Sequence, residues 1–169
     1  EVCISFVLSI DNCSHLHLSN LVMQQPFTLQ SLTFSKHLVK LQFDLMDLSQ
    51  TLGTLCHCLP QNKSLECLIA SRCGLDDDQL AAMISSVPDT LLELRVFGNK
   101  CRTQGLAAAA ILIQDHSNLQ ILDLSYQHLP RKGENKNEEN EFDISWLMAA
   151  LTSNTTLVTL DLDNTAIDD

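Results

Sequence analysis

The apolar residues of this chain recur in one spacing, L-x-x-L-x-L-x-x-(N/C)-x-L. It is clearest over Leu119–Leu129, "LQILDLSYQHL", where Leu119, Leu122, Leu124 and Leu129 take the apolar slots and Gln127 the polar one. Leu122 and Leu124 alternate with Asp123 and Ser125, which predicts a short strand with one face buried and the other wet. The same slots hold Leu157, Leu160, Leu162, Thr165 and Ile167 in one copy, and Leu91, Leu94, Val96, Asn99 and Cys101 in another. Further copies are Leu65, Leu68, Ala70, Cys73 and Leu75, then Leu38, Leu41, Phe43, Met46 and Leu48, then a weaker one at Cys13, Leu16, Leu18, Leu21 and Met23. Units therefore begin near 13, 38, 65, 91, 119 and 157, in steps of 25, 27, 26, 28 and 38 residues. One unit cannot hide its apolar face alone, so the units are expected to stack.

Between the strands the period changes to that of a helix. Pro26 suits a first helical position with Leu29 and Leu32 inside. Leu52, Leu55 and Leu59 mark a helix closed by Pro60, and Leu80, Met83, Ile84 and Val87 mark another closed by Pro88. Asp76, Asp77 and Asp78 stand at the start of the second, where carboxylates meet unpaired N–H groups and the positive end of the dipole. Gly105 to Ile113, "GLAAAAILI", predicts a third helix, rich in alanine so that neighbours can approach closely. The fifth unit is longer than its predecessor by ten residues, and the surplus lies in the polar run 130–141, "PRKGENKNEENE". Such a run cannot bury enough surface to order itself and is expected as a loop on one rim. A helix follows, with Asp143 as its N-cap and Ile144, Leu147, Met148 and Leu151 turned inward. Val2 to Ile10 reads as the tail of an earlier unit, so residues 1–169 are expected to be a fragment of one longer array.

This spacing, with a helix between successive strands, resembles the ribonuclease-inhibitor-like leucine-rich repeat family from Cys13 onward. The resemblance implies an α/β fold, a right-handed β-α solenoid with parallel strands on the concave face and helices on the convex face. Members of that family are mostly protein-binding scaffolds, among them ribonuclease inhibitor and the ligand-sensing arms of NOD-like receptors. The Ran GTPase-activating protein is another, which makes a regulatory protein of that type the alternative; an arginine on a rim loop, Arg102 or Arg131, would then stabilise phosphoryl-transfer charge. The sequence departs from the family at Cys73, Gln127 and Thr165, where asparagine is common, and at Met46. Those departures are expected to weaken the hydrogen-bonded ladder that asparagine supplies.

Composition narrows the partner. The net charge of −11 and pI near 4.7 disfavour nucleic acid and anionic membranes and favour a basic partner. No apolar run approaches the roughly 18 residues needed to span a bilayer. Seven cysteines, an odd number, several of them in repeat slots, fit reduced and buried thiols and hence a cytoplasmic or nuclear protein. Three N-x-S/T sequons, at Asn12, Asn62 and Asn154, point the other way.

No catalytic constellation emerges, so no enzyme activity, cofactor, metal ion or small-molecule substrate is expected. Cys56, His57 and Cys58 are consecutive on a helix and diverge by about 100° per residue. Cys67 and Cys73 have no His or Cys in range to complete a zinc site. Function is then expected on the sheet, from a protein partner. Stacking the units gives three columns of outward residues: His17, Gln42, Ile69, Arg95, Asp123 and Asp161; Ser19, Asp44, Ser71, Phe97, Ser125 and Asp163; Asn20, Leu45, Arg72, Gly98, Tyr126 and Asn164. Ile69, Phe97 and Tyr126 are expected as exposed apolar side chains beside Arg72 and Arg95, with Asp123, Asp161 and Asp163 forming an acidic end.

Overall fold

The computed structural model describes residues 13–20, 37–127 and 144–165. Six strands, β1 (His15–Ser19), β2 (Lys40–Asp44), β3 (Cys67–Ser71), β4 (Glu93–Arg95), β5 (Ile121–Asp123) and β6 (Thr159–Asp161), make one parallel sheet in sequence order. Parallel neighbours need a crossover, and the described connections supply helices: α1 (Leu52–Cys58), α2 (Asp77–Ile84), α3 (Thr103–Asp115) and α4 (Ile144–Ser153). The register pairs Leu16, Leu41, Leu68, Leu94, Leu122 and Leu160 one after another. One slot of the sequence pattern is thus one row of the core. Leu38, Leu41, Phe43, Leu68, Leu91, Leu94 and Leu122 are wholly buried, packed with Leu55, Leu80, Met83, Leu106 and Ile113 from the helices.

Two buried amide side chains each tie their unit to the one before. Asn99 is fully buried, and its Oδ1 accepts from the Cys73 and Leu75 N–H groups at 3.0 and 3.3 Å while its Nδ2 donates to the Ala70 and Val96 carbonyls, both at 2.8 Å. Gln127 does the same work one unit later. Its Oε1 accepts from the Cys101 N–H at 2.9 Å, and its Nε2 donates to Val96, Leu124 and Ser125 carbonyls. The expected weakening at Gln127 is therefore corrected, because the extra methylene still delivers the amide to the same backbone groups. Cys73 bonds the Ser71 carbonyl at 3.3 Å and the Met46 backbone of the preceding unit, and the Thr165 hydroxyl donates to the Leu162 carbonyl at 2.8 Å; neither reaches as many backbone groups as Asn99.

A second set of side chains fixes the turns that enter the strands. Asn62, His116 and Asn154 each stand three residues before a first-slot leucine. Asn62 Oδ1 accepts from Ser64 and Leu65 N–H groups, and Asn154 Oδ1 from Thr156 and Leu157. His116 Nδ1 accepts from Asn118 and Leu119, so its proton sits on Nε2, which donates to the Pro88 carbonyl at 3.0 Å. Two of the three sequons are thus turn signals: Asn62 is 2 % exposed, and the Asn154 amide is tied to the Ile113 carbonyl at 2.6 Å. Asn12 lies outside the described residues, as do Pro26, Arg131, Asp143, the run 130–141 and Ile167.

Helix boundaries follow local chemistry. Asp76 caps α2 in a reciprocal box with Gln79, each side chain accepting the other's backbone N–H. α3 spans two residues more at each end than the alanine-rich run Gly105–Ile113 suggests. Pro60 sits inside a 3-10 turn, Leu59–Gln61, that prolongs α1. α2 stops at Ile84, so Val87 lies beyond it, half-buried. α4 departs further from expectation. Leu147 and Ala150 are buried and Leu151 is half-buried, but Ile144 and Met148 are 46 and 56 % exposed. An inward arc needs a neighbour on each flank, and among the described residues α4 packs on no helix but α3.

Candidate interaction surface

On the sheet face away from the helices, the register makes the first column continuous: His17, Gln42, Ile69, Arg95, Asp123 and Asp161 are lateral neighbours. Exposure along it is uneven. Ile69, expected to be exposed, is 7 % exposed, on a strand paired on both sides, between Gln42 and Arg95. Asp123 is also 7 % exposed, its Oδ1 accepting from the Ser125 N–H at 3.0 Å and the Ser125 hydroxyl at 2.6 Å. Arg95 bonds Glu93 through Nε and approaches Asp123 Oδ2 at 3.7 Å. The Glu93 carboxylate, then the Asp123 charge, hold the Arg95 guanidinium even more firmly protonated than usual. Asp161 is exposed, and its Oδ1 accepts from the Asp163 N–H at 3.0 Å, repeating the Asp123 turn with no cation paired to it among the described residues.

The second column holds the face's one orphan among the described residues. Ser71 is 1 % exposed and its hydroxyl has no hydrogen-bond partner. Ser125, its equivalent two strands on, bonds Asp123; at Ser71 the corresponding residue is Ile69, which offers no oxygen. Phe97 is half-buried, and the Arg72 guanidinium lies over its ring, 5.1 Å from the centroid.

The third column has a backbone property that the spacing did not reveal. Asn20, Leu45, Arg72, Gly98, Tyr126 and Asn164 all have positive φ, between 51° and 72°. Each of the first five donates its N–H to a carbonyl of the next unit: Asn20 to Asp44, Leu45 to Ser71, Arg72 to Phe97, Gly98 to Ser125 and Tyr126 to Asp163, at 2.7–3.1 Å. The left-handed turn thereby prolongs the ladder past the strand ends. Glycine and asparagine suit that backbone; at Gly98 a Cβ would also fall 2.8 Å from Arg72 Cγ. Leu45 and Tyr126 do not suit it, and they stand 49 and 58 % exposed. The Tyr126 hydroxyl bonds Asp163, and that bond, then the carboxylate's charge, raises the phenol above its ordinary value.

The fold therefore brings Leu45, Arg72, Phe97 and Tyr126 onto one edge of the open face, with Asp161 and Asp163 at its end, and withdraws Ile69 and Asp123. Arg102 stands at the start of α3, where its N–H bonds Asp77. The six cysteines among the described residues are free thiols. Burial pushes Cys67 and Cys73 up to about 11 and Cys101 to about 12, so none of these three is a ready nucleophile. Among the described residues no cluster of three or more His, Cys, Asp or Glu is placed to hold a metal, and no helix is long and apolar enough to cross a membrane. No protein-family model matches the chain, and comparison with curated proteins finds no match.

Proposed function

We propose that the chain is a stretch of leucine-rich-repeat solenoid whose sheet lines a concave face, and that this face is a non-catalytic binding surface for another protein. The observation that carries the reading is the left-handed column. A non-glycine residue in that conformation costs roughly 1–2 kcal/mol. An exposed leucine or tyrosine adds apolar surface in water. Asn20, Gly98 and Asn164 show what the backbone favours at this position, so backbone conformation does not account for Leu45, Arg72 and Tyr126. Contact with a partner does. Tyrosine and arginine are among the residues on which interface energy concentrates, and phenylalanine is enriched at interface cores; Arg72 is already held against Phe97.

The partner's chemistry follows from the charges. Asp161 and Asp163 are exposed and have no ion-pair partner among the described residues, while the whole chain carries −11. A basic segment with an apolar residue between its charges complements that edge. The free thiols support a cytoplasmic setting.

The test is a matched capture with the chain and a Leu45→Asn/Tyr126→Asn double variant, bound proteins being identified by mass spectrometry. Asparagine suits the left-handed turn, so the variant should melt no lower than the parent while losing its partner. An undiminished capture by a folded variant would move function off this face.

A further inference from the structure

Two arginines stand on the open face, and the fold treats them differently. Arg95, on β4, is satisfied by the chain's own carboxylates: Glu93 bonds its Nε, and Asp123 Oδ2 lies 3.7 Å from its Nη1. Arg72, just past β3, is exposed and has no ion-pair partner among the described residues. One carboxylate is close in register, since Asp44 pairs with Ser71, the residue before Arg72. Yet no ion pair joins Arg72 to Asp44. The Arg72 side chain turns the other way, toward the unit of β4, where its guanidinium lies over the Phe97 ring, 5.1 Å from the centroid. Gly98 opens that course. Arg72 Cγ runs across it, so close that a Cβ on Gly98 would fall 2.8 Å from that atom. The stem is thus laid on glycine and the planar head on phenylalanine. Such a stack occupies a face of the guanidinium and not the edge along which its N–H groups donate. Both β3 and β4 have a strand on either side, so this arrangement belongs to the interior of the sheet.

We propose that Arg72 is a carboxylate-binding subsite, held in place by Phe97 and Gly98, that takes an aspartate or glutamate side chain of the partner. This rests on the reading of the face as a protein-binding surface, and it adds one acidic residue to an otherwise basic segment. The order of groups along the edge sets where that residue falls. From β2 to β6 the edge carries Asp44, Arg72, Phe97, Tyr126 and Asp163: negative, positive, two aromatic, negative. A segment crossing the strands complements it with a basic, an acidic, an apolar and a basic residue in turn. A planar fork meets a carboxylate through two parallel N–H bonds, and ordering it beforehand by a stack lowers the entropy lost on binding. A phosphate ester fits the same fork, but its added negative charge is opposed by Asp161, Asp163 and a net charge of −11.

The test follows the arginine Nε–H resonances of the whole chain by NMR while acetate replaces chloride at constant ionic strength. Arg72→Asn, which suits the left-handed turn, identifies the Arg72 signal. That signal should shift and saturate in the parent, and the Arg95 signal, already facing Glu93, should move little. Phe97→Leu should weaken acetate at Arg72 by about three-fold, whereas Phe97→Tyr, which keeps an aromatic platform, should bind as the parent does. If the leucine variant does not fold, Phe97→Met serves the same comparison. An Arg72 signal that moves no more than that of Arg95, or that responds equally without the aromatic ring, overturns the proposal. So does tighter binding of methyl phosphate than of acetate at Arg72. Failure of the face itself reads differently: partner capture would then survive Leu45→Asn/Tyr126→Asn, whatever acetate does at Arg72.

Discussion

Asp77 belongs to α2 but caps α3: its Oδ1 lies 2.8 Å from the Gly105 nitrogen and 2.7 Å from that of Arg102, and its Oδ2 lies 2.9 Å from that of Gln104. α3 has no capping side chain of its own at Arg102, so the preceding helix satisfies its orphan donors. Asp76, one residue earlier, caps α2 itself. Adjacent carboxylates therefore serve adjacent helices.

Loss of Asp77 should be felt across two units. Asp77→Ala is expected to cost about 1–2 kcal/mol in urea unfolding, and Asp78→Ala, at an exposed position, well under about 0.5 kcal/mol. Gly105→Ala should be as damaging by another route, because the new Cβ would fall 2.7 Å from Cys101 Sγ and 3.1 Å from Asp77 Oδ1. Equal effects of the Asp77 and Asp78 substitutions would remove the cross-helix cap.

Gln127 gives a prediction opposite to what substitution by the residue at Asn99, its equivalent one unit earlier, would suggest: Gln127→Asn should destabilise. The shorter side chain withdraws from the Cys101 N–H, now met at 2.9 Å, and leaves it buried without an acceptor. The expected loss is about 1–3 kcal/mol. Gln127→Ala should lose more, since Val96 and Leu124 carbonyls lose a donor as well. A Gln127→Asn variant as stable as the parent in chemical denaturation would show that the ladder does not depend on side-chain length.

The core was legible because it is periodic. Leu41, Leu68, Leu94 and Leu122 share one slot in the sequence and one row in the sheet, so spacing alone predicted their burial. The three outward columns were legible for the same reason, as the register of Gln42, Ile69, Arg95 and Asp123 shows. What periodicity cannot supply is the lateral dimension. Alternation predicts which way Ile69 points and not what covers it from the sides. The same gap hid the reach of Asp77 to Gly105 and of His116 to Pro88, each spanning 28 residues of chain. It also hid the exposure of Ile144 and Met148, whose inward arc depends on a neighbour rather than on their own spacing. One signal was available and unread: Asn20, Gly98 and Asn164 share a column, and those residue types mark a left-handed turn.

Ser71 tests the orphan hydroxyl. Its Oγ is buried with no partner, whereas Ser125 donates to Asp123 Oδ1 at 2.6 Å. Removing a buried group that is already unpaired recovers its desolvation cost. Ser71→Ala is therefore expected to be neutral or to stabilise by up to about 1 kcal/mol, and Ser125→Ala to destabilise by about 1 kcal/mol. The two unfolding curves, read side by side, decide it. Equal losses at both positions would mean that Ser71 has a partner of its own.

Three thiols, two buried and one half-buried, make stability fall at alkaline pH. Cys67 and Cys73 are raised to about 11 and Cys101 to about 12, from an ordinary value of 9.0, by desolvation in every case. Below pH 9 all three are protonated in both states, and their contribution is fully present. Above it the unfolded chain sheds protons that the folded chain keeps, so stability falls with rising pH and the contribution is lost as pH passes 11 to 12. The urea midpoint should accordingly drop between about pH 8 and about pH 10.5. Cys101→Ala should lower the midpoint at the milder pH, because it opens a hole beside Gly105, and yet flatten the subsequent fall. A disulfide-exchange reagent near neutral pH should react with Cys101, which is fully buried, only as fast as the chain opens. Prompt reaction of Cys101 in the folded chain, or an alkaline fall unchanged by its replacement, would refute the assignment.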